Sequence, residues 1–349
     1  MNSLDFEEAS DEISQGIVHS NASLRVPILA NCSALKHQQF DARLAGQRSV
    51  KSRPQFHNVS SPGEQIHRLC ELCAGYLSAP SKERQIAESD KLSLFTLTEE
   101  EIVNQSHVIR SEKINVFFIQ GGEIPQSVAV LERAIPQVIS NYDSRVEILL
   151  NLGNKTRDEY QRLKDAGAVS YILKHETSNR DLYRRHKREE LSTRLRCMND
   201  LLELGYRVGT GTIVGLPGQM IEDLANDLLL ARELGVHMTS ASPFLPAPDT
   251  PLCQEKPGSV AVTLRAIAIS RLLMPKALIP SVSALEAIHG GAQASGLQAG
   301  ANVMTVNFTP AKQVEKYLIY GNHRYIVKLN YVRNLLREQG LEPGASIWA

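Results

Sequence analysis

Residues 146–175 read VEILLNLGNKTRDEYQRLKDAGAVSYILKH. Val146–Leu152 is a short apolar run bounded by polar residues, which predicts a buried β-strand. Thr156-Arg157-Asp158-Glu159 follows as a capping box, in which Thr accepts from the third helical amide and Glu reaches back to the cap. Gly167 stops the helical pattern, because glycine tolerates the left-handed conformation that closes a helix. Val169–His175 then starts another β-rich run. The stretch is one strand, one helix and the next strand.

The same unit recurs outward in both directions. β-rich runs stand at Phe56–Ser60, Val116–Gln120, Arg207–Val214, His237–Phe244, Leu278–Ala284 and Asn302–Asn307, besides the two just named. Thr98-Glu99-Glu100-Glu101 is a second capping box, with Leu97 and Ile102 placed as a hydrophobic staple across it. Ile221, Leu224, Ala225, Leu228 and Ala231 recur at helical spacing and predict one buried stripe. Gly205 and Gly235 close helices as Gly167 does. Such alternation fits a (β/α)8 barrel or an open doubly wound sheet. No GxGxxG follows the first run, which weighs against the dinucleotide-binding sheet. The prediction is an α/β protein with a (β/α)8 TIM-type barrel over residues 53–310. An irregular N-terminal extension (1–52) precedes it, and helices over 311–349 close one end, with Leu318, Tyr320, Ile326 and Leu329 as their apolar contacts.

Composition narrows the function classes. The 349 residues carry 38 basic and 38 acidic side chains, so no general attraction for nucleic acid or an anionic membrane surface is expected. No run approaches the roughly 18 apolar residues of a membrane span, and the first residues lack a signal peptide's basic start and apolar stretch. Five cysteines, few and odd in number, argue against a disulfide scaffold and for a reducing, cytoplasmic setting.

In a barrel the loops after the strands form the active face. Those loops hold Gln120-Gly121-Gly122-Glu123, Asn151–Asn154, His175-Glu176-Thr177-Ser178-Asn179, Gly209–Gln219, Pro243–Leu252 and Gly300–Pro310. Each taken alone has a plain structural explanation: paired glycines turn a chain, and a carboxylate after a strand caps the next helix. Together, glycine-exposed amides and carboxylates on most strand ends suit a small charged ligand. The basic run from Arg180 to Arg196 reads as a solvated helix edge.

Apart from Asn151–Asn154, these motifs, in this order, resemble the radical S-adenosylmethionine (SAM) enzymes over residues 97–340, in particular the branch of [FeFe]-hydrogenase maturase, methylornithine synthase and biotin synthase. The resemblance implies that Gly121, Gly122 and Glu123 hold the amino group of SAM. It implies that Glu176 contacts the ribose or aminoacyl part, that Arg194 pairs with the carboxylate, and that Ile213 packs on adenine. A guanidinium fork suits a carboxylate. Family members also bind a [4Fe–4S] cluster through CxxxCxxC, and an electron from it splits the sulfonium to a 5′-deoxyadenosyl radical.

Here the cysteine pattern is incomplete. Cys70-Glu71-Leu72-Cys73 stands where the last two ligands belong, but Ile66 occupies the strict position of the first. His67 gives an HxxCxxC set able to bind a cluster or zinc; Cys32 and Cys253 are the other thiols considered for the third place. Cys70 and Cys73 as buried helix thiols is the remaining alternative, and Cys197, inside an apolar pattern, reads as core. Asn154 departs from the maturases, which the resemblance leads one to expect with glutamate there. The expectation is a radical SAM-type enzyme acting on a small, amino-acid-like substrate, with SAM, a [4Fe–4S] cluster and an external electron donor. The alternative is a cluster-less relative that binds SAM or another metabolite as a non-radical enzyme or accessory protein.

Overall fold

The computed structural model describes residues 25–35, 97–121, 126–143, 145–246, 251–309 and 325–344. The strands are β1 (Arg25–Leu35), β2 (Val116–Gly121), β3 (Glu147–Asn151), β4 (Ala168–Ile172), β5 (Arg207–Val214), β6 (Met238–Pro243), β7 (Met304–Asn307) and β8 (Glu342–Gly344). The helices are α1 (Glu99–Ser111), α2 (Gln126–Ser140), α3 (Arg157–Asp165), α4 (Arg180–Lys187), α5 (Leu191–Glu203), α6 (Ile221–Glu233), α7 (Val260–Leu273), α8 (Ser283–Ile288), α9 (Ala292–Gln298) and α10 (Leu329–Glu338).

The sheet runs β6-β5-β4-β3-β2-β1-β7, and each of these pairs is parallel. The circle closes between β6 and β7 through parallel bridges, Met238 to Leu278 and Pro280 to Val303. The seventh predicted run, Leu278–Ala284, is therefore reduced to bridges. Pro280 has no N–H for a ladder, and Ser283 already begins α8. The fold is the TIM-type barrel expected.

The first strand differs from the prediction. Arg25–Leu35 lies between β2 and β7, with Asn31 in register with Phe118 and Asn307. The predicted first run, Phe56–Ser60, lies outside the described residues. A barrel starting at residue 53 is thus corrected: part of the supposed extension is a barrel strand. Its sequence, RVPILANCSAL, contains the apolar run Val26–Ala30, hidden among polar neighbours and interrupted by Pro27. Strand β8 pairs with the opening of β1, Arg25 with Glu342. In the tail, Leu329 begins α10 as expected, but Ile326 is exposed and Val327 is buried instead; Leu318 and Tyr320 lie outside the described residues.

Local signals account for the rest. Both capping boxes form, and Leu97 and Ile102 of the staple are fully buried. Gly167, Gly205 and Gly235 all take positive φ. Apolar residues fall into two groups. The larger joins helices to the outer face of the sheet. The smaller consists of strand and bridge residues only, Val116, Phe118, Leu149, Ile172, Met238, Leu278 and Val303. A cluster with no helix residue fills the barrel interior, and it forms an apolar floor toward the N-terminal ends of the strands.

Candidate active site

Side chains alternate across a strand, so the interior face continues above this floor two residues at a time. It reaches Gln120 on β2 and Asn151 on β3, which are register partners. On β5 and β6 it reaches Ile213 and Ser242, again partners. Lys174 follows β4 on the same face, and its Nζ lies 3.3 Å from Ser242 Oγ. The barrel therefore changes from apolar to polar along its axis, and the polar end is the C-terminal face.

The chain after β4 is sharply turned. Thr177 N donates to His175 O at 2.7 Å, while Glu176 between them has φ 62°. A two-residue hydrogen bond around a positive φ is the pattern of the strained γ-turn. The turn is held from β5: Glu176 N donates to Gly211 O at 2.9 Å, and Ile213 N donates to Glu176 O at 2.9 Å. Thr212 Oγ1 also reaches the Glu176 carbonyl at 2.9 Å. Glu176 is buried, and its Oε2 has no hydrogen-bond partner among the described residues. Such an acceptor in a water-poor place calls for a donor. Strain of this kind clusters at ligand sites.

Neighbouring His175 turns to the helix layer, with Nδ1 2.9 Å from Thr210 Oγ1. Burial, with Lys174 adding to it, pushes its imidazole down to about 3, so it is neutral at ordinary pH.

Arg194 lies on α5 and is buried. Its Nε donates to Tyr183 Oη at 2.9 Å, and its guanidinium lies 3.7 Å from Glu189. Glu189 also accepts from Tyr183 Oη at 3.3 Å and from Asn154 Nδ2 at 2.7 Å. Burial raises the Tyr183 phenol to about 12, so it stays a donor. The basic run is not a uniform solvated edge: Arg184 is exposed and pairs with Glu190, but His186, Lys187 and Arg194 are buried.

The structure thus brings Glu176 and Ile213 together across the β4–β5 bridge and places Gly121 at the end of β2 on the same barrel face. Gly122, Glu123, His67, Cys70 and Cys73 lie outside the described residues. Cys32 lies on β1 in register with Ile119. Cys197 is a buried core thiol as read, and Cys253 is half-buried after β6. Among the described residues there is no cluster of metal-ligating side chains and no helix long and apolar enough to cross a membrane.

Sequence reasoning missed Lys174, Tyr183, Glu189 and Asp227. Asp227 was legible in principle: it occupies the apolar stripe of α6 between Leu224 and Ala231, where a carboxylate is out of place.

Comparisons with known proteins agree with the resemblance drawn from the motifs. Residues 67–231 match the Radical SAM superfamily model, and residues 241–342 match the Biotin and Thiamin Synthesis associated domain. The chain is 36% identical over 239 residues to the [FeFe] hydrogenase maturase subunit HydE of Thermotoga maritima, covering 67% of each chain. It is 27% identical over 219 residues to 3-methylornithine synthase of Methanosarcina acetivorans, covering 62% of this chain and 61% of that one. In fold it is similar to the crystal structure of methylornithine synthase (PylB), with TM-score 0.72 and 19% identity over 99% of this chain and 90% of that one. HydG, a maturase of the [FeFe]-hydrogenase, gives TM-score 0.71 at 16% identity, over 97% and 69%. The chain belongs to the radical SAM superfamily, whose enzymes use SAM and a [4Fe–4S] cluster.

Proposed function

We propose that this chain is a radical SAM enzyme that generates a 5′-deoxyadenosyl radical to act on a small, amino-acid-like substrate inside the barrel. The observation that carries the reading is the strained turn at Glu176, whose buried Oε2 has no partner, set against Ile213 at the mouth of a barrel that is polar above an apolar floor. SAM fits these residues by chemistry. Its amino group and ribose hydroxyls are the donors that Glu176 lacks, Ile213 offers an apolar face to a purine, and Arg194 supplies the cation for a carboxylate. Gly121, Gly122 and Glu123 complete the grip on the amino end. Lys174, half-buried inside the barrel, suits the carboxylate of the substrate.

When bound, the cluster supplies the electron that cleaves SAM; the chain's own part is to orient both molecules and exclude water. Its ligands are Cys70 and Cys73, with His67 in the third place and Cys32 as the next choice. Topology supports a cluster on this side. Leu35 ends β1 at the C-terminal face, and α1, which leads down to the start of β2, begins there too. The described residues that flank the segment holding the cysteine pair, Leu35 and Leu97, thus both lie toward the C-terminal face, with Leu35 in register with Gly121. The substrate is a small molecule, the electron donor is external, and the setting is the cytoplasm.

The broken cysteine spacing favours one second reading, a relative that binds SAM without a cluster. Iron content after anaerobic reconstitution separates the two. Under the first reading the wild type holds about four irons, Cys70→Ser and Cys73→Ser lose them, and His67→Ala holds fewer. Iron-free wild type that still binds SAM calorimetrically, unaffected by both serine changes, supports the second. Wild type that binds neither iron nor SAM overturns both.

A further inference from the structure

Asp227 is fully buried on α6, on the outer side of the barrel wall behind Glu176. Ser178 N donates to its Oδ1 at 2.5 Å and Ser178 Oγ at 2.6 Å. Thr212 Oγ1 lies 2.5 Å from Oδ2, and Gln219 Nε2 lies 3.3 Å from it. One carboxylate thus joins the turn after β4, the strand β5 and the loop between β5 and α6. The first two contacts bracket Glu176, since Ser178 follows it by two residues and Thr212 Oγ1, with one proton for two acceptors, lies 2.9 Å from its carbonyl oxygen. The last reaches Ile213 from behind: the same Gln219 amide donates to Ile213 O at 2.9 Å, and Gln219 Oε1 accepts from Gly215 N at 2.7 Å.

We infer that Asp227 is a positioning residue, whose carboxylate locks Glu176 and Ile213 into ligand-binding geometry without touching the ligand. The inference rests on the reading of Glu176 and Ile213 as SAM contacts. A turn with positive φ at a glutamate does not hold itself; the donors at Ser178 and Thr212 must find a fixed acceptor. An ionised carboxylate has enough lone pairs for all of them, whereas an amide has fewer and adds donors of its own. In Asp227→Asn, one oxygen can keep Ser178 N, and Thr212 can turn its proton to the Glu176 carbonyl. The Gln219 amide then meets another amide donor and keeps only its bonds to Ile213 and Gly215. Asparagine is thus an intermediate case, and alanine is the complete loss.

The test uses the full-length, anaerobically reconstituted protein and two readouts. The first is amide hydrogen exchange at Glu176, Ser178 and Ile213; the second is the SAM dissociation constant by calorimetry. Asp227→Ala should speed exchange at these amides and weaken SAM about tenfold or more, with Asp227→Asn and Thr212→Val falling between it and wild type. Leu163→Ala, in the fully buried core of α3, is the control for general destabilisation. It should lower the melting temperature while leaving both readouts near wild type. Exchange and affinity within twofold of wild type in all three site variants would overturn the inference. So would equal losses in Leu163→Ala at a matched melting temperature. Wild type without SAM affinity would instead reject the proposed function, and the exchange rates would still decide whether Asp227 fixes the turn.

Discussion

Asn154 Nδ2 donates to Glu189 Oε1 at 2.7 Å, and the other oxygen of that carboxylate faces Tyr183 and Arg194. The neutral residue after β3 therefore is matched to a carboxylate elsewhere in the site. Glu189 is only partly exposed, so it is screened less than a surface group. Replacing Asn154 by Glu would set two carboxylates against one guanidinium. Asn154→Glu should lower stability by about 2 kcal/mol, as read by denaturant unfolding. Adding Glu189→Gln should restore most of it. An unchanged Asn154→Glu would show that the pair carries no weight.

Glu176 offers a separate test of strain against function. At φ 62° a glycine sits freely while any residue with Cβ does not. Glu176→Gly and Glu176→Ala both remove the carboxylate. The glycine variant should nonetheless be the more stable of the two by about 1 kcal/mol, and both should lose SAM affinity. Alanine matching glycine in stability would mean that the turn stores no strain.

The carboxyl of Asp227 is pushed up to about 6 by burial, against the lowering effect of its bonds from Ser178 and Thr212. Its folded value lies above the ordinary 3.8, so the native state holds the proton more tightly than the unfolded chain. The stabilising term is full below about pH 4 and is lost as pH rises through about 6. The stability difference between wild type and Asp227→Asn should therefore shift across pH 4 to 7, by on the order of 3 kcal/mol or less. Parallel pH profiles for the two proteins would contradict this.

His175 moves in the opposite sense. Its folded value, near 3, lies below the ordinary 6.5, so the stability it brings is present above about pH 6.5 and is lost as pH falls toward 3. Its imidazole resonances should stay those of a neutral ring between pH 5 and 8. A midpoint within that range would show a ring open to water.

Most of the barrel was legible because its units are local. Capping boxes at Thr98 and Thr156, closing glycines and short apolar runs are each settled within a few residues. Strand β1 was not, since Val26–Ala30 carries Pro27 and sits in a polar stretch of irregular pattern. Glu176 and Ile213 were singled out by their motifs. The support beneath them was not, because Asp227, Ser178 and Thr212 meet only when α6 packs on the sheet. Arg194 was singled out by resemblance, but its partners Glu189 and Tyr183 come from the neighbouring helix and turn, in a run that its charge made look solvated.

The most direct measurement is product formation by the reconstituted wild type. Iron and sulfide are supplied anaerobically, then dithionite and SAM, and the mixture is separated for nucleosides. The account predicts a visible iron–sulfur absorption band, and 5′-deoxyadenosine and methionine formed in equal amounts, both lost in Cys70→Ser. Intact SAM, with no cluster band and no 5′-deoxyadenosine from wild type, would contradict it.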